Sequence, residues 1–497
     1  MLARSVFLLA VLPLPLLSAP QISGQTQSSV PDAPSLKTAP KLPPGVKIQK
    51  LPITTKYDYS NEAVVYKRIA TVYRYQTDGS GERVMTVEAH IQSENGVHQA
   101  GLLAFTYASG NEHLEMDYLR VRKADGSVIA TPASDGQDQP TEVTRQAPFY
   151  SDLRELQIPV KSLGVGDDLE YQLHETLTKP LAAGQFWGAA NFATGAVVLE
   201  ESFEMSFPKD KYALVLSPKA EAVITEENGN KVYRWKTSQL EPTASKNNKD
   251  QQAPDADALP SISWTTFRDW QEVGAWFAGL ARDRASVSPE IQEKTQELIK
   301  GKTSDDENIQ AIYDYVSTQV RYIGVAFGIG RYQPHSAEAV LDNQYGDCKD
   351  KHTLLAAMLK AAGYDAWPAL IGSSMKLHAE IPAPSQFDHV ITVVSLNGKL
   401  IWLDSTPEIT PYRMLMAQIR DKQALVMPTN GPAQLMRTPA DGPFPFVDEF
   451  TGTGKLDATG KLEGHIAFTM RSDNEVAFRE VFHSLPRAQW QTAAQNM

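Results

Sequence analysis

This sequence has very little cysteine and no excess of positive charge. The 497 residues include one cysteine, Cys348, and 47 Lys and Arg against 59 Asp and Glu, for a formal net charge of −12. A single cysteine excludes an intramolecular disulfide and the cysteine cages that hold zinc or iron–sulfur clusters. Nucleic-acid binding depends on clustered positive charge, so we expect no nucleic-acid partner. An anionic membrane surface is an equally poor partner.

Long apolar runs are also missing after the N-terminus. No later segment reaches about 18 uninterrupted apolar residues, so we expect no membrane span in the mature chain. The apolar run Val6–Leu17 follows a basic residue and precedes the small residues Ser18 and Ala19. This order is typical of a secretory signal. We predict a signal peptide over 1–19, a disordered linker over 20–47, and an exported protein in the periplasm or outside the cell.

The first half of the chain has the pattern of β-strands. Short runs of alternating or apolar residues are separated by Asp-Gly and Asn-Gly turn signals. The predicted strands are Val64–Tyr75, Arg83–His90, Leu114–Arg122, Leu169–Leu177 and Lys231–Lys236. We therefore predict a β-sandwich-like domain over residues 48–250, whose topology the spacing leaves open. A polar stretch over 245–257 is interpreted as a linker.

Helical patterns follow. Apolar and aromatic residues within Phe267–Leu280 recur at helical spacing, and we interpret this stripe as core rather than as a binding surface. Ser288 begins a second helix that Gly301 ends. Ser304–Glu307 is a capping box that begins a third helix. Its acidic residues complement the helix dipole and lack the spacing of a calcium loop, so we predict no calcium site.

The single cysteine lies at the start of a further predicted helix. Apolar spacing and the terminal Gly363 predict a helix over about 349–362, directly after Cys348. The positive end of the helix dipole, together with Lys349 and Lys351, would stabilise a thiolate. The sequence neighbours of the cysteine are charged, which disfavours a buried structural cysteine. We therefore identify Cys348 as a candidate nucleophile.

A nucleophilic cysteine needs a base, and the base needs an orienting group. His389 lies in a strong strand, Asn397-Gly398 is a two-residue hairpin turn, and residues 399–404 form the return strand. In this register His389 and Asp404 are diagonal neighbours on one face, roughly 7–8 Å apart at the backbone. Taken alone, His389 would be interpreted as a packed or surface residue of a strand, and Asp404 as a residue that caps a turn. Together with a cysteine at a helix start, they predict a general base, His389, and its orienting carboxylate, Asp404.

Two other features are interpreted as structural. His352 lies four residues after Cys348 and could form a metal site with it, but two ligands leave a zinc site incomplete and no zinc motif occurs. We interpret His352 as a helix-surface residue that tunes the cysteine. The glycines at 328 and 330 lack the remaining residues of a phosphate-binding loop. We expect no metal and no cofactor.

The residues around this triad resemble the transglutaminase-like superfamily of papain-related Cys-His-Asp hydrolases and acyltransferases. The matching motifs are Tyr332–Glu338, Tyr345–Lys351, Phe387–Val390 and Trp402–Thr406. The resemblance is to a bacterial exported branch in which a β-rich domain of unknown function precedes the core. It implies an α+β fold with the β-rich domain at 48–250 and the transglutaminase-like domain at 262–427. It also implies the same three roles for Cys348, His389 and Asp404.

The C-terminal residues 428–497 begin with a Pro/Gly-rich linker and continue into a predicted hairpin around Asp457–Gly460. Members of the exported branch usually end in a full β-domain. We therefore interpret this region as an incomplete C-terminal β segment.

These features predict an exported enzyme that hydrolyses amides or transfers acyl groups on peptide or protein substrates, as a protease, deamidase or cross-linker. The oxyanion would be bound by the backbone N–H of Cys348 and a second donor, for which Gln333 and Tyr322 are candidates. The alternative is a catalytically inactive envelope protein that binds peptide or glycan.

Overall fold

Residues 58–146, 152–241, 259–324 and 331–495 are described by the structure, a computed structural model. The predicted signal peptide at 1–19, the linkers at 20–47 and 245–257, and the glycines at 328 and 330 lie outside the described residues. From Tyr59 onward the chain forms one compact unit.

The N-terminal half consists mainly of strands, as predicted. Its elements are β1 (Val64–Tyr75), β2 (Gly81–Ile91), α1 (Glu94–Ala100), β3 (Leu102–Ala108), β4 (Glu112–Arg122), β5 (Val128–Ala130), β6 (Gln137–Pro140), α2 (Glu142–Gln146), β7 (Leu153–Pro159), β8 (Asp168–Leu177), β9 (Trp187–Ala190), β10 (Val197–Pro208), β11 (Leu214–Leu216), β12 (Val223–Glu227) and β13 (Asn230–Gln239). Eight strands form a sheet of order β12-β13-β10-β1-β2-β8-β4-β5. Strands β1 and β10 pair in parallel, and the other neighbours are antiparallel.

Two three-stranded sheets form a second layer. One has the order β3-β7-β6 and the other β11-β14-β9, where β14 is Ile262–Thr265. Tyr73 of the large sheet packs against Trp264, and Tyr171 packs against Phe105. The strand register places Tyr73 and Tyr171 on the same face of the large sheet. The two small sheets therefore cover one face, which is the sandwich-like arrangement expected.

Strand β14 lies inside the range predicted for the core, 262–427, yet pairs on both sides with strands of the N-terminal region. Its residues pair with Leu214–Leu216 of β11 and with Trp187–Ala190 of β9. The two regions therefore share a sheet.

Helices and an antiparallel sheet make up the core. Its elements are α3 (Trp270–Ala281), α4 (Pro289–Ile299), α5 (Asp305–Gln319), β15 (Arg321–Tyr322), α6 (Ala337–Asn343), β16 (Tyr345–Gly346), α7 (Cys348–Ala361), β17 (Asp365–Ile371), β18 (His389–Leu396), β19 (Lys399–Leu403), β20 (Gln423–Val426) and β21 (Gln434–Arg437). The sheet order is β19-β18-β17-β20-β21. Helix α7 packs against it, with Leu354, Leu355 and Leu359 fully buried among α4, α5 and the sheet. The fold is α+β, as predicted.

Local signals position most of the core helices. Ser288 accepts a hydrogen bond from the N–H of Ile291, and Ser304 forms the predicted capping box with Glu307. The first core helix begins later than expected. The predicted stripe starts at Phe267, but the helix begins at Trp270 because Asp269 caps it.

The C-terminal residues form β22 (Val447–Leu456), β23 (Leu462–Arg471), α8 (Asp473–Ser484) and α9 (Trp490–Gln495). The hairpin turns at Asp457–Gly460, as predicted, and helix α8 follows it unpredicted. One face of the hairpin is apolar and exposed, through Phe450, Leu456, Leu462, Ile466 and Phe468. Among the described residues, no helix combines the length and the apolarity needed to cross a bilayer.

Candidate active site

Cys348 is the first residue of helix α7 and is half-buried. Asp347 caps the helix, because its side chain accepts hydrogen bonds from the N–H groups of Lys349 and Asp350 at 3.1 and 3.2 Å. Asp350 completes the capping box by accepting from the N–H of Asp347 at 3.2 Å. The cap therefore uses the second and third N–H groups of the helix and leaves that of Cys348 outside it.

His389 and Asp404 meet where the hairpin register predicts. Thr392 pairs with Leu403 across β18 and β19, which is the register that a two-residue turn imposes. The Nε2 atom of His389 lies 3.0 Å from Oδ2 of Asp404. The other carboxylate oxygen accepts a hydrogen bond from the N–H of Thr406 at 3.0 Å. Asp404 is therefore buried and held in one orientation against the imidazole.

The Cys348 thiol lies beside the same imidazole. Burial alone would lower the pKa of His389, but the Asp404 carboxylate and Cys348 raise this pKa well above its ordinary value. Burial would raise the pKa of Asp404, but His389 and the Thr406 N–H outweigh it and lower this pKa. The site can therefore hold an imidazolium between a carboxylate and a sulfur.

Two lysines next to the cysteine are fully buried, and each has a partner. Lys349 forms an ion pair with Asp347 beneath the helix start, and its charge interacts with Cys348. Lys351 points away and donates to the carbonyls of Ser317 and Val320 at 3.1 and 2.7 Å. Burial lowers the pKa of Lys351 to about 8. Of the two lysines expected to support the thiolate, Lys349 lies where it can do so.

His352 is not the helix-surface residue that we predicted. It is 6% exposed, and its Nδ1 atom lies 2.8 Å from the hydroxyl oxygen of Thr392 on β18. Burial lowers its pKa to about 4, so it is neutral near pH 7. At His352 the helix faces the sheet. The apolar residues that predicted the helix begin at Leu354 and gave no sign that the preceding turn is buried as well.

His335 is a further residue at this helix start, and the sequence patterns did not single it out. Its backbone N–H donates to Oδ1 of Asp350 at 2.8 Å, and its Nδ1 atom lies 3.2 Å from the same oxygen. Asp350 is fully buried and belongs to the capping box of the nucleophile helix. Asp350 was the signal in the sequence that could have pointed to His335, because a buried carboxylate requires a hydrogen-bonding partner.

The two candidates for the second oxyanion donor differ in position. Tyr322 is 42% exposed and interacts electrostatically with Cys348 and Asp404. Gln333 is half-buried, and within the described ranges no hydrogen bond joins it to Cys348.

The N-terminal region contributes to the surroundings of the cysteine. Cys348 packs against an apolar cluster that contains Ala182 of that region, and Trp187 of the same region packs against this cluster as well. The Trp187 ring lies 5.4 Å from that of Trp276 on α3, whose Nε1–H donates to the carbonyl of Leu181 at 3.3 Å. The β-rich domain therefore packs directly beside the candidate site.

Metal-ligand side chains converge at one place in the described residues, away from the cysteine. Glu115, Asp117 and His174 on strands β4 and β8 bring their ligand atoms within 4.8 Å of one another. The other ring nitrogen of His174 lies 3.1 Å from a carboxylate oxygen of Glu82. Exposed acidic groups of this kind are common without a metal ion.

Two regions of the chain match known families. Residues 292–370 match the transglutaminase-like superfamily, and residues 77–244 match a domain of unknown function with a solved structure, DUF3857. This domain order confirms the resemblance inferred from the motifs. The first match includes Cys348 and ends before His389. No curated protein matches the chain.

Solved structures extend the comparison to the fold. A candidate protease from Parabacteroides distasonis has 16% identity and a TM-score of 0.62, over 76% of this chain and 72% of that one. A candidate cysteine protease from Cytophaga hutchinsonii has 15% identity and a TM-score of 0.21, over 44% and 68%. An M1 zinc metallopeptidase from Deinococcus radiodurans has 7% identity and a TM-score of 0.23, over 41% and 42%. The first similarity confirms the fold, and the two with low TM-scores add nothing to it.

Proposed function

We propose that this chain, whose core belongs to the transglutaminase-like superfamily, is an exported cysteine-dependent enzyme that hydrolyses amides or transfers acyl groups on peptides or proteins. The observation that carries the proposal is a half-buried cysteine at a helix start beside an imidazole that a buried carboxylate holds. In this proposal Cys348 is the nucleophile, His389 the general base and Asp404 its orienting group.

The reaction begins with attack on an amide carbonyl. The sulfur of Cys348 forms a bond to the carbonyl carbon, and the π-electron pair moves to the oxygen. When the carbon–nitrogen bond breaks, the His389 imidazolium gives its proton to the departing amine and leaves a thioester. Water or an amine then attacks the thioester and gives a proton to His389, and the sulfur leaves with the original charge state restored. Hydrolysis, deamidation and cross-linking share these steps and differ in the amine and in the final acceptor.

Export is part of the proposal and rests on the pattern of residues 1–19. A single cysteine with no disulfide partner suits an exported protein when the thiol has a chemical use. Secretion of the full chain with loss of about 19 residues, measured by intact mass, is the expected result.

The first experiment measures the alkylation of Cys348 by iodoacetamide against pH. We expect alkylation that remains fast below pH 7, because an imidazolium beside the sulfur stabilises the thiolate. His389→Ala should abolish this low-pH reactivity, and His113→Ala, a change on the exposed surface of β4, should leave it unchanged.

The second experiment incubates the protein with a peptide mixture, with and without a labelled primary amine. Mass spectrometry would show cleavage, a gain of about 1 Da for deamidation, or incorporation of the amine. Cys348→Ala should remove the product. A thiol that reacts no faster than free cysteine, with no product in any mixture, would contradict the enzyme proposal and favour the binding protein.

A further inference from the structure

Tyr322 is fixed by the backbone beside the peptide that enters the nucleophile helix. It lies on β15, which pairs in parallel with β16, and Tyr322 is the register partner of Gly346. The N–H of Ile323 donates to the carbonyl of Gly346 at 3.0 Å. Since Gly346 lies two residues before Cys348, the tyrosine and the cysteine share one rigid frame.

A second tether comes from the helix itself. Lys351, three residues after Cys348, is fully buried and donates to the carbonyls of Ser317 and Val320. These carbonyls lie just before β15. The helix that carries the cysteine therefore also holds the chain that carries Tyr322, and movement of one relative to the other would break buried hydrogen bonds.

The Tyr322 side chain lies near the reacting groups, and its hydroxyl can donate a hydrogen bond. Its hydroxyl has no hydrogen-bond partner in the parts of the chain that the structure describes, and it lies close enough to Cys348, Asp347, Asp404 and Asp388 for their charges to raise its pKa. Burial, followed by Cys348, raises the pKa of Tyr322, so the phenol keeps its proton at neutral pH. A protonated phenol beside a nucleophile, with no acceptor among the described residues, is available to donate a hydrogen bond to a substrate.

The backbone N–H of Cys348 is a second donor that lacks an acceptor within the described part of the chain. The capping carboxylate of Asp347 takes the N–H groups of Lys349 and Asp350, and the N–H of Lys351 donates to the Asp347 carbonyl. No acceptor for the Cys348 N–H occurs among residues 58–146, 152–241, 259–324 and 331–495.

We propose that Tyr322 is a further catalytic residue, whose hydroxyl and the Cys348 N–H together bind the oxyanion of the tetrahedral intermediate. The proposal rests on the proposed function and deepens it. As the carbon–sulfur bond forms and the carbonyl pair moves to oxygen, Tyr322 donates a hydrogen bond to that oxygen and keeps its proton. Donors placed where charge develops typically contribute about 10²–10³ in rate.

The test compares two reactions of the same thiolate. Acylation by p-nitrophenyl acetate passes through a tetrahedral oxyanion and expels p-nitrophenolate, whereas alkylation by iodoacetamide displaces iodide with no oxyanion. We expect Tyr322→Phe to slow acylation at least tenfold and to leave the alkylation rate and its pH dependence unchanged. Tyr345→Phe on the neighbouring strand is the matched control and should leave both rates unchanged.

Each other outcome would overturn the proposal. Equal slowing of both reactions would show that Tyr322 acts on the thiolate or on the fold, and unchanged rates would show no role. If the wild-type protein reacts with neither reagent faster than free cysteine does, the proposed function itself fails. Equal unfolding midpoints of the two tyrosine variants in urea would show that any difference in rate does not come from lost structure.

Discussion

In the proposed mechanism, the charge on His389 determines the reactivity of Cys348 near neutral pH. Its pKa is raised by two neighbours, and Asp404 is the larger of them. The carboxylate oxygen that faces the imidazole is 3.0 Å away, and the other is occupied by the Thr406 N–H. The Asp404 carboxylate therefore both orients the imidazole and raises its pKa.

Replacing that charge has a measurable consequence. We expect Asp404→Asn to lower the pKa of His389 and to slow the alkylation of Cys348 at pH 6 by roughly tenfold for each unit of that change. A histidine NMR titration and iodoacetamide kinetics would measure both. Asp388→Asn is the control, since Ser373 and Ser374 bind that neighbouring carboxylate. If His389 has the same pKa in the Asp404→Asn and Asp388→Asn variants, Asp404 is not the group that raises the pKa of His389.

Lys351 is buried, and folding lowers its pKa, whereas the pKa of His389 is raised. The pKa of Lys351 falls from 10.5 to about 8 on folding, so between these values the unfolded chain binds more protons than the folded one. Stability therefore rises with pH over this window, and the penalty is fully present below pH 8.

Urea denaturation against pH would measure this effect. We expect the unfolding free energy of the wild type, relative to Lys351→Met, to increase by about 3 kcal/mol between pH 8 and pH 10.5. Lys399→Met, on the exposed end of β19, should show no such increase relative to the wild type. If the difference in unfolding free energy between the wild type and Lys351→Met does not change with pH, the lowered pKa of Lys351 is contradicted.

At the scale of the element, helix α7 begins with a buried cap. Asp347 binds two backbone N–H groups and the Lys349 ammonium. The cap of α3, Asp269, binds the N–H of Glu272 at 2.9 Å on the exposed surface. Both caps are aspartates, but only Asp347 also forms an ion pair with a buried lysine.

We expect Asp347→Ala to destabilise the protein by about 3–5 kcal/mol, because it removes the carboxylate that is ion-paired with the buried Lys349 charge. Asp269→Ala should cost about 1 kcal/mol, the usual value for a lost cap. Chemical denaturation of the two variants compares them directly. Equal costs would mean that the buried ion pair contributes nothing beyond the cap.

Local signals explain which parts of the site could be predicted. The helix start at Cys348 and the hairpin that aligns His389 with Asp404 depend on residues close together in sequence. The partners of the buried charges could not be predicted in this way. Lys351 binds carbonyls 31 and 34 residues away, and His352 meets Thr392 across 40 residues.

At the scale of the whole molecule, the β-rich domain packs against the core beside the candidate site. Trp187 of β9 lies within 5.5 Å of the Phe267 ring and 6.1 Å of the Tyr332 ring. We expect Trp187→Ala to cost about 3 kcal/mol of unfolding free energy and to change the alkylation rate of Cys348. Val223→Ala, on the exposed edge strand β12, should change neither. An unchanged alkylation rate in the tryptophan variant would show that the domains are chemically independent.

The C-terminal hairpin shows the opposite case. The rings of Phe450 and Phe468 pack on each other at 5.1 Å, and both are more than 60% exposed. We expect the double change Phe450→Thr and Phe468→Thr to leave the unfolding free energy within about 0.5 kcal/mol and to reduce the binding of a hydrophobic dye. A large loss of stability would show that this face is covered in solution.

Strand β14 also determines what happens when the chain is cut. Its residues Ile262–Thr265 are continuous with the core, yet both of their hydrogen-bonding edges are occupied by the N-terminal half. A single break between Glu241 and Ser261 would leave two fragments that share a sheet. The fragments would remain together without a covalent link, and each would need the other's strand to complete its own fold.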